Sequence, residues 1–119
     1  IKYCDGNSFT GANASATAVP DGKGGSKTLH WRGSAVLDAV IDDLLGPRGL
    51  GRATDVVVGG GSAGGLAVLL HCDRWAERLH GASAAIRVAC LSDSGFFVDH
   101  ESGPQPPRFP DYGYHTGMV

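Results

Sequence analysis

The feature that most constrains the fold of this chain is a β-branched run that ends in a glycine-rich turn containing one serine. Residues 55–58 read Asp-Val-Val-Val, which is typical of a short buried strand. Leu66-Ala67-Val68-Leu69-Leu70, after the turn, favours a helix. Between them, Gly60-Gly61-Ser62-Ala63-Gly64 fits G-x-S-x-G, the turn that presents a nucleophilic serine at the end of a strand. Gly60, Gly61 and Gly64 are expected there because a strand that reverses into a helix crowds its own backbone.

The same turn also satisfies a dinucleotide-binding fingerprint, as Gly59-x-Gly61-x-x-Gly64. That fingerprint needs an acidic residue roughly 20 positions further on, at the end of the next strand, to bind the ribose. Position 84 is Ala84, and the nearest acid beyond the next predicted strand is Asp93. The spacing therefore weakens the interpretation as a nucleotide-binding module, and a glycine-rich turn without chemistry is the third alternative.

Periodicity predicts two helices and a second strand around this turn. An apolar stripe predicts a helix over residues 36–45, with Asp38, Asp42 and Asp43 facing solvent and Gly46-Pro47 as its end. A second helix is predicted over about 63–79, closed by His80-Gly81, and a strand over 85–91. The result is an α/β fold with a parallel sheet and flanking helices. Because so few strands cannot build a sheet covered on both faces, we interpret residues 1–119 as the central fragment of a larger domain.

Two segments show no periodicity. Residues 14–28 are small and polar and predict a mobile surface loop, and residues 102–119, rich in proline at their start, predict an irregular tail. The formal net charge is −2 and the basic residues are scattered, which argues against a nucleic-acid partner. The longest apolar run, residues 66–70, is too short to span a membrane.

Three cysteines, Cys4, Cys72 and Cys90, are too few and too far apart for a zinc site. An odd number fits buried thiols or disulfides with partners outside the chain, and Cys90, within a predicted strand, fits a small buried hydrophobic residue. No metal and no cofactor are predicted.

If Ser62 is a nucleophile, it requires a base and an acid, and the backbone N–H of Ala63 would donate to the oxyanion. The chain order for this turn is serine, acid, histidine, which Asp93 or Asp99 followed by His100 or His115 would satisfy. A structural role in its loop is favoured for Asp93, however, and His71 is interpreted as a packing or surface residue. A triad within these residues is therefore not favoured.

Several motifs, in order, resemble the plant pectin acetylesterases. They are Tyr3-Cys4-Asp5-Gly6-Asn7-Ser8-Phe9-Thr10-Gly11, His30-Trp31-Arg32-Gly33, the Ser62 turn extended to Gly65, Leu70-His71-Cys72-Asp73, and Cys90-Leu91-Ser92-Asp93-Ser94-Gly95-Phe96-Phe97-Val98-Asp99. The animal Notum carboxylesterases share the turn and a similar Asp-Ser-Gly segment.

The resemblance implies a partial α/β-hydrolase fold and a secreted or cell-wall enzyme that removes acetyl esters from pectin. Ser62 matches the family nucleophile. The family's catalytic Asp and His lie downstream of the segment that contains Asp93, and its glycine-rich oxyanion loop lies upstream of the motif that contains Tyr3, so the resemblance places none of them in this chain. It also implies that the isolated chain is inactive. The alternative is a Notum-like enzyme that removes a lipid acyl group from protein.

Overall fold

Two parallel strands joined by a long helix form the centre of the described structure, which covers residues 5–97 of a computed structural model. Counting from the N-terminus, these strands are β3, Asp55–Gly61, and β4, Arg87–Asp93, and the helix between them is α2, Ala63–Ala82. The register runs from Asp55 opposite Arg87 to Gly61 opposite Asp93. The predicted strand–helix–strand unit with parallel strands is thus confirmed, and the carboxyl ends of β3 and β4 lie side by side.

The element bounds differ from the prediction by two or three residues. β3 continues through its glycines to Gly61, and β4 begins at Arg87 and reaches Asp93. Glycine weakens a strand but does not end it where the neighbouring strand supplies ladder partners. Helix α2 passes the predicted stop at His80-Gly81 and ends at Ala82, where Ser83 N–H donates to Leu79 O at 3.0 Å.

Helix α1, Gly33–Leu45, packs against α2 through part of the predicted apolar stripe: Leu37 and Ile41 are buried, whereas Val36 is exposed. The core consists of Leu37, Ile41, Trp75, Leu79 and Ile86. The acidic residues of α1 keep substantial exposure, as predicted, but two of them also form ion pairs with α2: Asp38 with Arg74 and Arg78, and Asp42 with Arg78. Apolar contact and ion pairs together fix α1 on α2.

Residues 17–29, which include most of the segment predicted as a mobile surface loop over 14–28, form a hairpin of two regular strands. Strand β1, Thr17–Pro20, pairs antiparallel with β2, Ser26–Leu29. The turn is held by Asp21, whose Oδ1 accepts hydrogen bonds from Lys23 N–H at 2.7 Å and from Gly25 N–H at 2.9 Å. Gly22 and Gly24 supply the positive φ angles of 73° and 88° that the turn needs. Most of the hairpin is exposed, so no apolar alternation marks its strands in the sequence.

Cys72 of α2 and Cys90 of β4 form a disulfide across a sequence separation of 18. The interpretation of Cys90 as a small buried hydrophobic residue with a free thiol is therefore wrong, and the disulfide partner of Cys72 and of Cys90 lies within the chain. The spacing does not reveal the pair because the two residues meet only when β4 docks beside α2. Cys4 lies outside the described residues.

Residues 5–97 form a mixed α/β structure with a parallel strand pair and flanking helices. One face of that pair is exposed within this range, with Val57 at 68% and Leu91 at 63%. None of the helices described is long and apolar enough to cross a membrane. No cluster of three or more potential metal ligands occurs in the same range.

Candidate active site at the end of β3

Ser62 is the one residue between β3 and α2, and its backbone is strained. Its φ of 54° and ψ of −123° lie in a region that residues with a side chain rarely adopt. The turn is fixed on both sides, because Ser62 N–H donates to Asp93 O at 2.9 Å and Ser62 O accepts from Leu66 N–H at 3.0 Å. Ser62 itself is exposed. This is the geometry expected of a strained strand-to-helix turn that presents a serine hydroxyl to solvent.

Two glycines allow this turn to close. A Cβ added at Gly60 would lie 2.4 Å from Gly64 O, and one added at Gly65 would lie 2.7 Å from Asp93 O. A Cβ added at Gly61 would find its nearest neighbour at 3.9 Å, and at Gly64 it would meet nothing within 4 Å. Of the glycines expected from the motif, Gly60 is thus the one whose own Cβ would clash. The need for Gly65 was missed because it arises from contact with the next strand's loop.

The loop after β4 packs directly on the first turn of α2. A Cβ added at Gly95 would lie 2.3 Å from the carbonyl carbon of Gly65, and Ser92 Oγ donates to Gly65 O at 2.9 Å. The Asp93 carboxylate accepts a hydrogen bond from Ser94 Oγ at 3.0 Å, while its backbone carbonyl binds Ser62 N–H. Asp93 therefore contacts the serine turn through its backbone.

The strand position of Asp93 does not separate the esterase and nucleotide interpretations. As the last residue of β4, Asp93 lies where a dinucleotide-binding fold would place its ribose carboxylate. The backbone of Ser62 discriminates better, because a strained non-glycine residue at the turn is a feature of nucleophile turns and not of the glycine fingerprint.

Two of the described histidines, His71 and His80, have contacts other than Ser62. His71 Nε2 lies 2.8 Å from Ser8 O, and His80 Nε2 lies 3.1 Å from Ile86 O. Within residues 5–97 no hydrogen bond joins an imidazole to Ser62. Asp99, His100 and His115, the other sequence candidates for a triad, lie outside the described residues.

Ala63 is the first residue of α2, so its N–H belongs to the group at a helix start that has no acceptor within the helix. The positive end of the dipole of this 20-residue helix lies at the same helix start. An oxyanion formed on a carbonyl attacked by Ser62 would be stabilised by the Ala63 N–H and by the helix dipole. Ala63 O, in turn, accepts a hydrogen bond from Ser8 Oγ at 3.0 Å, a contact across 55 positions that sequence reasoning missed.

An apolar cavity of about 300 Å³ lies behind the turn, between β3 and α2. Its wall includes the backbone of Gly60, Gly61 and Gly64, but not Ser62; the other lining residues are Phe9, Leu37, Val58, Gly59, Ala67, Val68, His71 and Trp75. The serine hydroxyl is therefore presented outside this cavity.

Comparisons with known proteins agree with the motifs. The model of the pectinacetylesterase family matches residues 1–114. Pectin acetylesterase 11 of Arabidopsis thaliana is 40% identical over 98 residues, which cover 82% of this chain and 22% of that protein. Pectin acetylesterase 5 of the same plant is 39% identical over 99 residues, covering 83% and 21%.

A second group of relatives is animal. The palmitoleoyl-protein carboxylesterase NOTUM of Homo sapiens is 36% identical over 102 residues, covering 85% of this chain and 19% of that protein. The chain thus spans about a fifth of the length of the curated relatives it matches.

Proposed function

Because the chain belongs to the pectinacetylesterase family, we propose that it carries the nucleophile of a serine esterase of the α/β-hydrolase fold that removes acetyl groups from cell-wall pectin. The observation that carries the proposal is the strained backbone of Ser62 at the strand-to-helix turn. Strain of this kind costs on the order of 1–3 kcal/mol and persists where a site requires it. Ala63, through its N–H, and the turn glycines Gly60, Gly61 and Gly64 complete this part of the site.

In the proposed reaction Ser62 Oγ attacks the acetyl carbonyl carbon while a histidine takes the hydroxyl proton. The tetrahedral oxyanion accepts a hydrogen bond from Ala63 N–H. Its collapse breaks the bond to the sugar oxygen, which leaves with the proton from the histidine. Water then attacks the acetyl-enzyme in the same way and releases acetate and free Ser62. We propose that the histidine and its acid partner lie outside these 119 residues, as the family resemblance implies, and we therefore expect the 119-residue chain alone to be inactive.

The test is acetate release from acetylated pectin by the full-length gene product. Ser62→Ala should lower kcat by at least about 10⁴-fold, since the remaining groups act only through binding and electrostatics. Ser26→Ala, which removes an exposed hydroxyl in the hairpin, is the control and should retain full activity. Turnover that survives Ser62→Ala would refute the proposal.

A second candidate function rests on the similarity to NOTUM, whose name gives it a palmitoleoyl-protein substrate. On this alternative the enzyme removes a lipid acyl group from a protein. Comparing kcat/KM for acetyl, octanoyl and palmitoleoyl esters of one chromogenic alcohol separates the two. A preference for acetyl supports the pectin substrate, and a steep rise with chain length supports the alternative.

The proposed location is outside the cell or in the cell wall. The Cys72–Cys90 disulfide supports it, because disulfides persist in oxidising compartments. A polysaccharide is the proposed partner, and neither a nucleic acid nor a membrane is part of the proposal.

A further inference from the structure

The loop of residues 5–11, here called the 5–11 loop, forms hydrogen bonds with the start and the middle of α2. Ser8 Oγ donates to Ala63 O at 3.0 Å, and Ser8 is 6% exposed, the buried polar residue of the described range. About two turns along the helix, His71 Nε2 lies 2.8 Å from Ser8 O. Because a carbonyl can only accept, His71 Nε2 carries the proton and donates it. Ser8 therefore connects the imidazole of His71 to the first residue of α2.

The 5–11 loop holds Ser8 in a strained conformation. Ser8 and Phe9 have consecutive positive φ angles of 48° and 60°. The Asp5 carboxylate stabilises this arrangement by accepting hydrogen bonds from Asn7 N–H at 3.0 Å and from Phe9 N–H at 2.9 Å. Strained non-glycine residues held by their surroundings cluster at functional sites. A second strained segment thus contacts the strained turn at Ser62.

We propose that Ser8 and His71 are positioning residues for the oxyanion donor, and that they act through the first residue of α2. The inference rests on the proposed function, since it concerns the same Ala63 N–H. Ala63 N–H and Ala63 C=O flank one α-carbon, so a hydrogen bond that fixes the carbonyl also limits rotation of the N–H. A donor held in place before the reaction stabilises the oxyanion without reorganisation in the transition state. Neither Ser8 nor His71 needs to touch substrate for this effect.

The first test is Ser8→Ala in the full-length gene product with acetylated pectin. Loss of one positioning hydrogen bond should lower kcat about tenfold and leave KM within about twofold. Affinity for a boronic acid, whose tetrahedral adduct on Ser62 places an oxygen at the oxyanion position, should fall by the same factor. Affinity for deacetylated pectin should not change, because product binding does not use the oxyanion donor.

Ser34→Ala is the matched control. Ser34 Oγ accepts a hydrogen bond from Arg74 at 2.9 Å between α1 and α2, so this variant also removes one part-buried hydroxyl contact on α2. It should lower the melting temperature about as much as Ser8→Ala does and leave kcat unchanged. Equal kcat values for the two variants would overturn the inference.

His71 provides a second test that does not depend on how well Ser8→Ala folds. His71→Gln keeps an N–H donor near the position of Nε2 and should retain kcat within about threefold, whereas His71→Leu should lose about tenfold. Combining His71→Leu with Ser8→Ala should cost no more than either change alone, because on this proposal His71 acts only through the hydrogen bond from Ser8 Oγ to Ala63 O, which Ser8→Ala has already removed. If His71→Gln and His71→Leu have equal kcat values, the inference is wrong.

If the wild-type protein shows no Ser62-dependent turnover, the proposed function fails and this inference fails with it.

Discussion

A single added Cβ atom at Gly60 or Gly65 would prevent the Ser62 turn from closing. The turn brings three backbone segments together: the end of β3, the first turn of α2 and the loop after β4. Gly60 and Gly65 lie where these segments are too close for a side chain. Gly64 lies between them in sequence, yet a side chain there would point into open space within residues 5–97. Neighbouring glycines of one motif thus differ in whether the surrounding backbone leaves room for a side chain.

This difference predicts opposite effects for two neighbouring substitutions. The added methyl of Gly65→Ala would lie 2.7 Å from Asp93 O and 2.8 Å from Gly95 Cα, both backbone atoms that cannot move independently of their chain. We expect a loss of about 1–3 kcal/mol in the free energy of unfolding. Gly64→Ala is the matched control, and it should be neutral or stabilising by up to about 1 kcal/mol, because alanine favours the helix.

Urea unfolding of the full-length gene product measures both variants. Stability is the readout, because a methyl group at Gly64 could hinder substrate without affecting the fold. Equal stability of the two variants would contradict the assigned contacts of Gly65.

At the scale of the elements, the turn of the β1–β2 hairpin is held by one side chain, Asp21. Its strands are exposed and contribute little to the apolar core. Because the strands have few apolar contacts, the hairpin is stabilised by Asp21, whose carboxylate accepts hydrogen bonds from the N–H groups of Lys23 and Gly25 across the turn. The hydrogen bond from Lys23 N–H, followed by that from Gly25 N–H, lowers the pKa of Asp21 below its usual value of 3.8. The folded turn therefore favours the carboxylate.

The hairpin should consequently lose stability in acid. A lowered folded-state pKa means that the stabilisation is fully present above the unfolded value of 3.8 and is lost as the pH falls through the lower folded value. Amide hydrogen exchange of residues 17–29 measures this. Asp21→Ala should accelerate exchange at neutral pH, whereas Asp21→Asn keeps an oxygen acceptor and should remain protected with no acid dependence from this residue. Slow exchange in Asp21→Ala would show that the turn does not need the carboxylate.

At the scale of the whole molecule, long-range contacts join elements that are small by themselves. Ion pairs and the apolar stripe hold α1 on α2, the 5–11 loop reaches the start of α2, and the disulfide joins α2 to β4. The parallel sheet of β3 and β4 has two strands within residues 5–97, and one of its faces exposes Val57 and Leu91. Small sheets of this kind have little stability of their own. The disulfide, the ion pairs and the hydrogen bonds between elements therefore contribute a large share of the free energy of unfolding.

Removing the disulfide should therefore be costly. Cys72 and Cys90 have a sequence separation of 18, and closing a loop of this length lowers the entropy of the unfolded chain, which corresponds to about 3 kcal/mol. Cys72→Ser combined with Cys90→Ser should lower the free energy of unfolding by about that amount. Under non-reducing conditions, peptide mass mapping of the wild type should show Cys72 linked to Cys90. Linkage of either residue to Cys4 would contradict the pairing.

The sequence by itself determined the features that depend on neighbouring residues. The apolar stripe of α1, the β-branched start of β3 and the glycine-serine turn each lie within a few residues, so propensity and periodicity predict them, and the family follows from such motifs in order. Tertiary structure alone decided the hairpin of residues 17–29, the Cys72–Cys90 pair, the need for glycine at Gly65 and the contact of Ser8 with Ala63. The disulfide and the Ser8 contact span 18 and 55 positions, and Gly65 meets a loop that returns after a whole helix. No local pattern encodes such contacts, because they exist only once the elements have packed.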